Sequence, residues 1–243
     1  MIKIIIHITK FLIATITALL FASCNFNVNT IEGSGNVTTE KRIVNGDFTK
    51  VSVSNAIDLV IIQSDSTEII VEADDNIQKE IITTVENGTL IIKSNHNSFR
   101  VTKKKVTVKM PKIDKLEASS AATVSNTGIL QGQDIDLETS SASSMNLNVE
   151  YDNITSQSSS GSSIKLEGKA LKIRTSASSG STVHAKSLLA NDIQADVSSG
   201  ANISVHPIVS LKADASSGGS INYDTTPKTI ERTSNSGGSI SQG

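Results

Sequence analysis

The segment Gln157-Ser-Ser-Ser-Gly-Ser-Ser-Ile164 contains a phrase, two serines followed by glycine, that recurs through the second half of the chain. Six copies of Ser-Ser-Ala or Ser-Ser-Gly and a seventh, Asn235-Ser-Gly237, follow one another at intervals of 18 to 21 residues. The third residue of each copy, taken here as position zero, falls at Ala121, Ala142, Gly161, Gly180, Gly200, Gly218 and Gly237. A fixed period of this length is the signature of a stacked repeat architecture.

Residues around position zero alternate between apolar and polar side chains. Three residues after position zero the side chain is apolar in every copy: Val124, Met145, Ile164, Val183, Ile203, Ile221 and Ile240. Four residues before it, at an even position, the side chain is polar in every copy, from Glu117 to Thr233. Because a period of two indicates a strand with one buried face, the sequence predicts an all-β fold, a parallel, right-handed β-solenoid with coils of 18 to 21 residues.

The serine phrase itself predicts a bend with little side-chain volume. The same alternation assigns the serine directly before position zero to the interior, where it would need hydroxyl or carbonyl partners, because an unpaired buried hydroxyl costs about 1–3 kcal/mol. A low-complexity disordered segment is the alternative for serine-rich sequence. The unbroken apolar columns favour the ordered solenoid.

Even positions on either side of the phrase form two rows of hydroxyl-bearing residues, and these are the predicted binding face. One row contains Ser140, Ser159, Ser178, Ser198 and Ser216; the other contains Thr123, Ser144, Ser163, Thr182 and Ser220. In a regular stack these rows would make a flat, uncharged face for polysaccharide or another protein. The alternative is that a bend simply requires small residues.

The first 23 residues have the composition of a signal peptide, with Lys3 and Lys10 before an uncharged run from Phe11 to Phe21. Phe21-Ala22-Ser23-Cys24 resembles a lipobox, which predicts a lipidated Cys24 and a tether over residues 24–32. Cys24 is the single cysteine of the chain, so an internal disulfide is excluded. The predicted location is therefore the cell envelope, with the protein lipid-anchored to the outer membrane.

Residues 33–115 are predicted to be an irregular β region that caps the solenoid of residues 116–243. Ser54-Asn55-Ala56 resembles the serine phrase, and Asn87-Gly88 is a hairpin signal between two apolar runs. The basic cluster Arg100 and Lys103–Lys105 indicates solvated lysines at a strand end or hairpin, and a patch for anionic glycan or lipid is the alternative.

Composition argues against several functions. The net charge is −2 and there is no basic stripe with interleaved aromatics, so nucleic acid is not a predicted partner. His96, His184 and His206 lack zinc-ligand spacing, so no metal or cofactor is predicted. The chain has no tryptophan, which leaves Tyr151 and Tyr223 as the candidates for sugar stacking.

Gly33-Ser-Gly-Asn-Val37, residues 48–63 and the Ser-Ser-Gly coils together resemble the head GIN domain family of autotransporter adhesins. The resemblance covers residues 33–243 and implies a β-solenoid found in envelope lipoproteins of Gram-negative bacteria. The family name implies adhesion, and no catalytic residues are carried over from it.

The predicted function is a non-catalytic, lipid-anchored envelope protein that acts as an adhesin-like or interaction module. A structural envelope scaffold is one alternative. A polysaccharide-active β-helix enzyme is another, because Asp196 and Asp214 would stack on adjacent coils. The final coil, at Ile240, is predicted to have an uncovered edge and so to favour a homo-oligomer.

Overall fold

The computed structural model describes residues 9–13, 15, 31–96 and 99–243. The chain divides into two units, residues 1–30 and 31–243. In the first unit, residues 9–13 and 15 are helical. The predicted signal peptide and Cys24 otherwise lie outside the described residues.

The second unit is built almost entirely from strands. Its first part contains β1 (Ile31–Glu32), β2 (Val37–Arg42), β3 (Lys50–Val53), β4 (Asp58–Gln63), β5 (Glu68–Asp74), β6 (Ile81–Glu86), β7 (Thr89–Ser94), β8 (Phe99–Arg100) and β9 (Lys104–Met110), with a 3₁₀ turn over Gln78–Glu80. Its second part contains β10 (Lys115–Ala118), β11 (Thr123–Thr127), β12 (Leu130–Thr139), β13 (Ser144–Ser158), β14 (Ser163–Ala177), β15 (Thr182–Val197), β16 (Asn202–Ala215), β17 (Ser220–Tyr223), β18 (Thr229–Ser234) and β19 (Ser239–Gln242).

The strands from β10 to β19 stack in parallel, one coil on the next, as the repeat predicts. β13 pairs with β14 from Ser144↔Ser163 to Ser158↔Ala177, and β14 pairs in turn with β15. The extra residue of the 20-residue interval is taken up by a register shift between Lys165 and Glu167. The corners therefore stay aligned although the coils differ in length, which confirms the predicted parallel β-solenoid.

Coiling starts earlier in the chain than residue 116. β3 and β4 form a coil that pairs in parallel with β10 and β11 on one side and with β7 and β9 on the other. Beyond that layer the pairing becomes antiparallel, because β5 joins β9, β2 joins β5, and β6 joins β7. β2 and β6 are therefore the last strands at this end, and we call these antiparallel strands the cap.

The expected hairpin at Asn87-Gly88 joins β6 to β7, with φ of 51° and 73°. The expected solvated lysine cluster is wrong at one position. Lys103 and Lys105 pair with Glu72 at 2.9 and 3.0 Å, but Lys104 is buried and donates to the carbonyl oxygen of Asn55 at 2.6 Å. Alternation along β9 places Lys104 on the inner face, which the run of three lysines conceals.

Each serine phrase forms a tight corner. In the coil of Gly161, Ser160 and Gly161 have φ of 54° and 69°, and the amide of Ser162 donates to the carbonyl of Ser159 at 3.2 Å. Two successive residues at positive φ are typical of a type I′ turn. Asn55 and Ala56 have φ of 62° and 52°, so the phrase at Ser54 is confirmed as an early copy of the same corner.

The corner overturns the prediction that the serine before position zero points inward. Ser120, Ser141, Ser160, Ser179, Ser199, Ser217 and Ser236 are all exposed and all have positive φ. Two left-handed residues interrupt the strand, so the alternation of inward and outward side chains is not continuous through the phrase.

The buried serines lie one residue after position zero instead. Ser143 and Ser181 donate to the carbonyl oxygens of Ala118 and Ser158, at 2.8 and 2.7 Å. Between them, the Ser162 hydroxyl lies 3.0 Å from that of Thr139 and 2.9 Å from that of Ser158. Inward hydroxyls therefore do form the expected hydrogen bonds, but they belong to the residue after position zero and not to the residue before it. A continuous hydrophobic core extends from Phe48 to Tyr223.

Candidate functional site

A groove runs along the side of the solenoid that precedes the corners. One cavity of about 350 Å³ is lined from Ser52 to Ser178, and a second of about 310 Å³ is lined from Ser176 to Asn235. Ser176 and Ser178 line both cavities, so the two are continuous. We call this combined surface the axial groove.

Three positions of the repeat build the axial groove. Its floor is the residue three before position zero, which is small or β-branched: Ala118, Thr139, Ser158, Ala177, Val197 and Ala215. One wall is the residue four before position zero: Ser52, Glu117, Glu138, Gln157, Ser176, Asp196, Asp214 and Thr233. The other wall is the residue two before it: Ser119, Ser140, Ser159, Ser178, Ser198, Ser216 and Asn235.

The length of the axial groove follows from the strand stacking. From Ser52 to Thr233 the groove crosses eight coils, and at roughly 4.8 Å per coil it extends over roughly 34 Å. Its walls present a hydroxyl, amide or carboxylate on every coil. The groove is thus long, narrow and lined at regular intervals by groups that form hydrogen bonds.

At the capped end of the groove the carboxylates are held by a lysine. Lys115 Nζ lies 2.9 Å from both Glu117 Oε1 and Glu138 Oε1. Burial raises the pKa of Glu117, but the hydrogen bonds from Lys115 and with Glu138 outweigh burial and leave that pKa below its ordinary value. Burial likewise lowers the pKa of Lys115, while its two carboxylate partners raise it above the ordinary value. At this end of the groove the ion pairs therefore hold the side chains of Lys115, Glu117 and Glu138 in place.

At the other end of the groove, Asp196 and Asp214 lie side by side on adjacent coils, as predicted. Gln194 Nε2 donates to Asp196 Oδ2 at 3.3 Å. The residues lining this cavity include no histidine, lysine, arginine or tyrosine. Within residues 31–96 and 99–243, no group of three His, Cys, Asp or Glu side chains is arranged to hold a metal ion. This end therefore offers hydrogen-bond acceptors and negative charge.

The two predicted hydroxyl rows differ in where they lie. Ser140, Ser159, Ser178, Ser198 and Ser216 all line the axial groove. The residues of the other row stack in register from Thr123 to Ser220, but none of them lines the groove.

A turn separates the two rows, so they lie on either side of an edge rather than on one flat face. Sequence reasoning missed the combination of the row two before position zero with the row four before it. The available signal was that both are outward positions on the same side of the phrase.

Neither tyrosine is available as a platform for a sugar ring. Tyr151 and Tyr223 are each 4 % exposed. The Tyr151 hydroxyl donates to the carbonyl of Ile113 at 3.1 Å, and burial, with a smaller contribution from Asp114, raises the pKa of Tyr151 to about 12. Both rings belong to the core, so neither can stack on a ligand of the groove.

An apolar patch lies on another side of the coils. Leu171, Leu189 and Ile208 are 52 %, 42 % and 43 % exposed and line one cavity of about 380 Å³. The floor of this cavity includes Ala170, and Glu150, Asp152 and Lys169 lie at its margin. Its exposed aliphatic side chains distinguish this concave surface from the axial groove.

Cys24, the predicted lipidation site, lies outside the described residues. In the part of the chain that the structure covers, no helix is long and apolar enough to span a membrane.

Three crystal structures share this architecture. A protein described as a putative adhesin from Bacteroides fragilis NCTC 9343 matches with a TM-score of 0.81 and 22 % identity, over 87 % of this chain and 99 % of that one. A putative lipid binding protein from Parabacteroides distasonis ATCC 8503 matches with a TM-score of 0.73 and 19 % identity, over 88 % and 99 %. A putative adhesin from Parabacteroides merdae ATCC 43184 matches with a TM-score of 0.69 and 18 % identity, over 88 % and 98 %.

At these identities the similarity establishes the fold. No curated protein matches the sequence. A family model does match, over residues 47–227, which include the coil of β3 and β4, most of the cap strands and the serine corners up to Gly218. The chain therefore belongs to the family described as "Putative auto-transporter adhesin, head GIN domain".

Proposed function

We propose that this protein is a non-catalytic, lipid-anchored protein of the bacterial cell envelope whose axial groove binds an extended polymer, foremost a glycan. Residues 1–23 act as the signal peptide, Cys24 carries the lipid, residues 24–32 form the tether, and the outer membrane holds the anchor. The observation that carries the binding proposal is the continuity of the groove across eight coils with a hydrogen-bonding group on each. Membership of an adhesin family supports the envelope location.

A glycan fits the groove better than a compact ligand does. Sugar hydroxyls can donate to the carboxylates of Asp196 and Asp214 and exchange hydrogen bonds with the serine wall. The two cavities share the wall residues Ser176 and Ser178, so a chain can lie along several coils and sum many weak contacts. An extended protein segment is the alternative occupant with the same shape.

Blocking the groove at its midpoint tests the proposal. Ser178 lines both cavities, whereas Thr182, on the same coil and across the corner, lines neither. Ser178→Arg should abolish binding to the glycans that the wild-type protein captures from an array of bacterial and host glycans, and Thr182→Arg should leave binding within about twofold, because only the first side chain fills the groove.

Unchanged capture by Ser178→Arg would overturn the groove as the binding site. Capture of no glycan or protein segment by the wild-type protein would favour the envelope scaffold instead. Chain cleavage of a captured polysaccharide, lost in Asp214→Asn, would establish the enzyme alternative.

The apolar patch favours a second candidate function, lipid binding. One structural neighbour is described as a putative lipid binding protein, and Leu171, Leu189 and Ile208 give this chain an exposed aliphatic concavity. An acyl chain would bury these side chains from water. Fatty-acid binding that Leu189→Asp removes and Ser178→Arg retains would place a lipid at this patch.

A further inference from the structure

The loop that follows β2 presents an isoleucine almost completely to water. Ile43 is 96 % exposed, whereas the other exposed large aliphatics of residues 31–243 range from 38 % at Val37 to 52 % at Leu171. The base of this loop is fixed, because Val44 packs against the core and Phe48 is buried within it. We call residues 43–49 the cap loop. Ile43, the first residue of this loop, is thus a single aliphatic side chain held out in water beside a packed base.

The cap loop belongs to the outermost layer of the capped end. β2 pairs with β5 through Val37↔Asp74 to Arg42↔Ile69, and β5 pairs with β9 on its other side. β2 is thus the final strand of that side of the stack, and Ile43 follows its last residue directly. The exposed aliphatic side chain is at the end of the solenoid, not on its flank.

The tether limits how far this end can lie from a membrane. Six residues lie between Cys24 and Ile31, so their α-carbons are seven steps apart. An extended chain covers at most about 3.6 Å per step, so the reach is at most about 25 Å. β1 pairs with β8 directly after the tether, and only four residues lie between β1 and β2. A lipid on Cys24 would therefore hold the cap, and not the far coils, beside the bilayer.

We propose that the cap loop docks on the membrane that carries the lipid anchor, with Ile43 entering the boundary between headgroups and acyl chains. This inference rests on the proposed lipidation of Cys24. An aliphatic side chain favours that boundary over water, and one lipid chain binds more firmly when a second contact supports it. Lys41, two residues before Ile43, is paired with Glu68, so the docking contact is made by the aliphatic side chain. Docking in this way makes the solenoid and its axial groove project away from the membrane.

The absence of tryptophan from the sequence allows a direct test. Ile43→Trp and, as the control at the opposite end, Ile230→Trp are each made in the full chain, purified from membranes, and reconstituted into vesicles of phosphatidylethanolamine and phosphatidylglycerol with brominated acyl chains. The tryptophan at position 43 should emit at shorter wavelength and lose about half of its emission, because an interfacial side chain lies within reach of the lipid bromines. The tryptophan at position 230 should keep the emission that it has in unbrominated vesicles.

Two readouts separate failure of the docking from failure of the anchor. The mass of the Cys24 peptide and sedimentation with vesicles report the anchor. Equal emission from position 43 in brominated and unbrominated vesicles, in protein that is acylated and sediments, would overturn the docking alone. An unacylated Cys24 would overturn the anchor and the docking together.

Discussion

The serine at each corner occupies a backbone conformation that L-residues disfavour. Ser160, like its equivalents in the other coils, has positive φ, which costs about 1–2 kcal/mol per residue. Hydrogen bonds between coils offset this cost, because the amide at position zero donates to the serine carbonyl of the next corner. The series runs from Ala56 N to Ser120 O, at 2.9 Å, through to Gly218 N and Ser236 O, at 3.2 Å.

Lys104 completes this series at the capped end. The carbonyl of Asn55 is the first of the corner carbonyls, and the Lys104 ammonium donates to it at 2.6 Å. Burial lowers the pKa of Lys104, although Asp58 opposes the shift. A side chain here takes the place of the amide that a further coil would supply.

The buried hydroxyls should matter for stability and the exposed ones should not. Ser162→Ala removes a hydroxyl that contacts Thr139, Ser158 and the Ser159 carbonyl, so it should lower the free energy of unfolding by about 1–3 kcal/mol. Ser160→Ala, exposed on the same corner, should change it by less than about 0.5 kcal/mol. Urea unfolding followed by circular dichroism measures both, and the reverse order would contradict the assignment of inward and outward serines.

Sequence patterns could predict which apolar residues are buried in successive coils, but not that the serine before position zero points outward at the corner. The apolar residues from Val124 to Ile240 are separated by one period, so their burial follows from alternation alone. The conformation of Ser160 depends on the turn and on a carbonyl supplied by another coil. No property of the serine itself distinguishes an exposed left-handed residue from a buried extended one.

Among the elements, β5 has the densest set of charged contacts. Lys109 and Lys41 contact Glu68 at 2.7 and 2.5 Å, while Lys103 and Lys105 contact Glu72. The hydrogen bond from Lys109, followed by that from Lys41, lowers the pKa of Glu68 to about 2. Lys41 on β2, Lys105 and Lys109 on β9, and Lys103 just before β9 thus pair with carboxylates on the antiparallel strand between β2 and β9. Such cross-strand pairs stabilise neighbouring strands.

The depressed pKa of Glu68 predicts how the cap responds to acid. Because the folded pKa lies below the ordinary value of 4.5, the contribution of Glu68 to stability is complete above that value and is lost as pH falls towards 2. Glu68→Gln should therefore reduce the fall in the thermal midpoint between pH 5 and pH 2, measured by calorimetry. Glu231→Gln is the control, since Glu231 is largely exposed and lies 3.9 Å from Lys212. Equal acid sensitivity of the wild type and Glu68→Gln would refute this role.

Across the whole molecule, the two ends of the stack differ. The capped end closes with antiparallel strands, whereas β18 and β19, in the last described coil, each pair on one side only, with β16 and β17. Ile230 on β18 is 39 % exposed. An unpaired strand edge with exposed aliphatic side chains favours pairing with another chain.

We therefore expect the protein to self-associate through β18 and β19. Analytical ultracentrifugation over a range of concentrations should show a reversible dimer, and Ile230→Lys should weaken it at least about tenfold, because a charge on the edge disfavours pairing. Leu171→Lys, an exposed site on the flank, should leave association unchanged. A wild-type protein that remains monomeric at all concentrations would contradict this expectation.

The presence of a β region at this end could be predicted from the sequence, but the pairing of its strands could not. The irregular sequence of residues 33–115 indicates a β region that ends the stack, and Asn87-Gly88 locates its hairpin. The insertion of β3 and β4 between β10–β11 and the later strands β7 and β9 is a long-range arrangement. Local patterns carry no information on which of several similar strands will be neighbours.

The uniform corner has a consequence for how this protein can evolve. Each corner makes the same hydrogen bonds to the coil before it and the coil after it. Duplication of one coil, such as residues 163–181, would therefore preserve the hydrogen bonds on both sides of the inserted coil. Each such event would change the length of the axial groove by about 4.8 Å and add one set of wall residues. The length of the axial groove therefore changes by whole coils, whatever wall residues each coil carries.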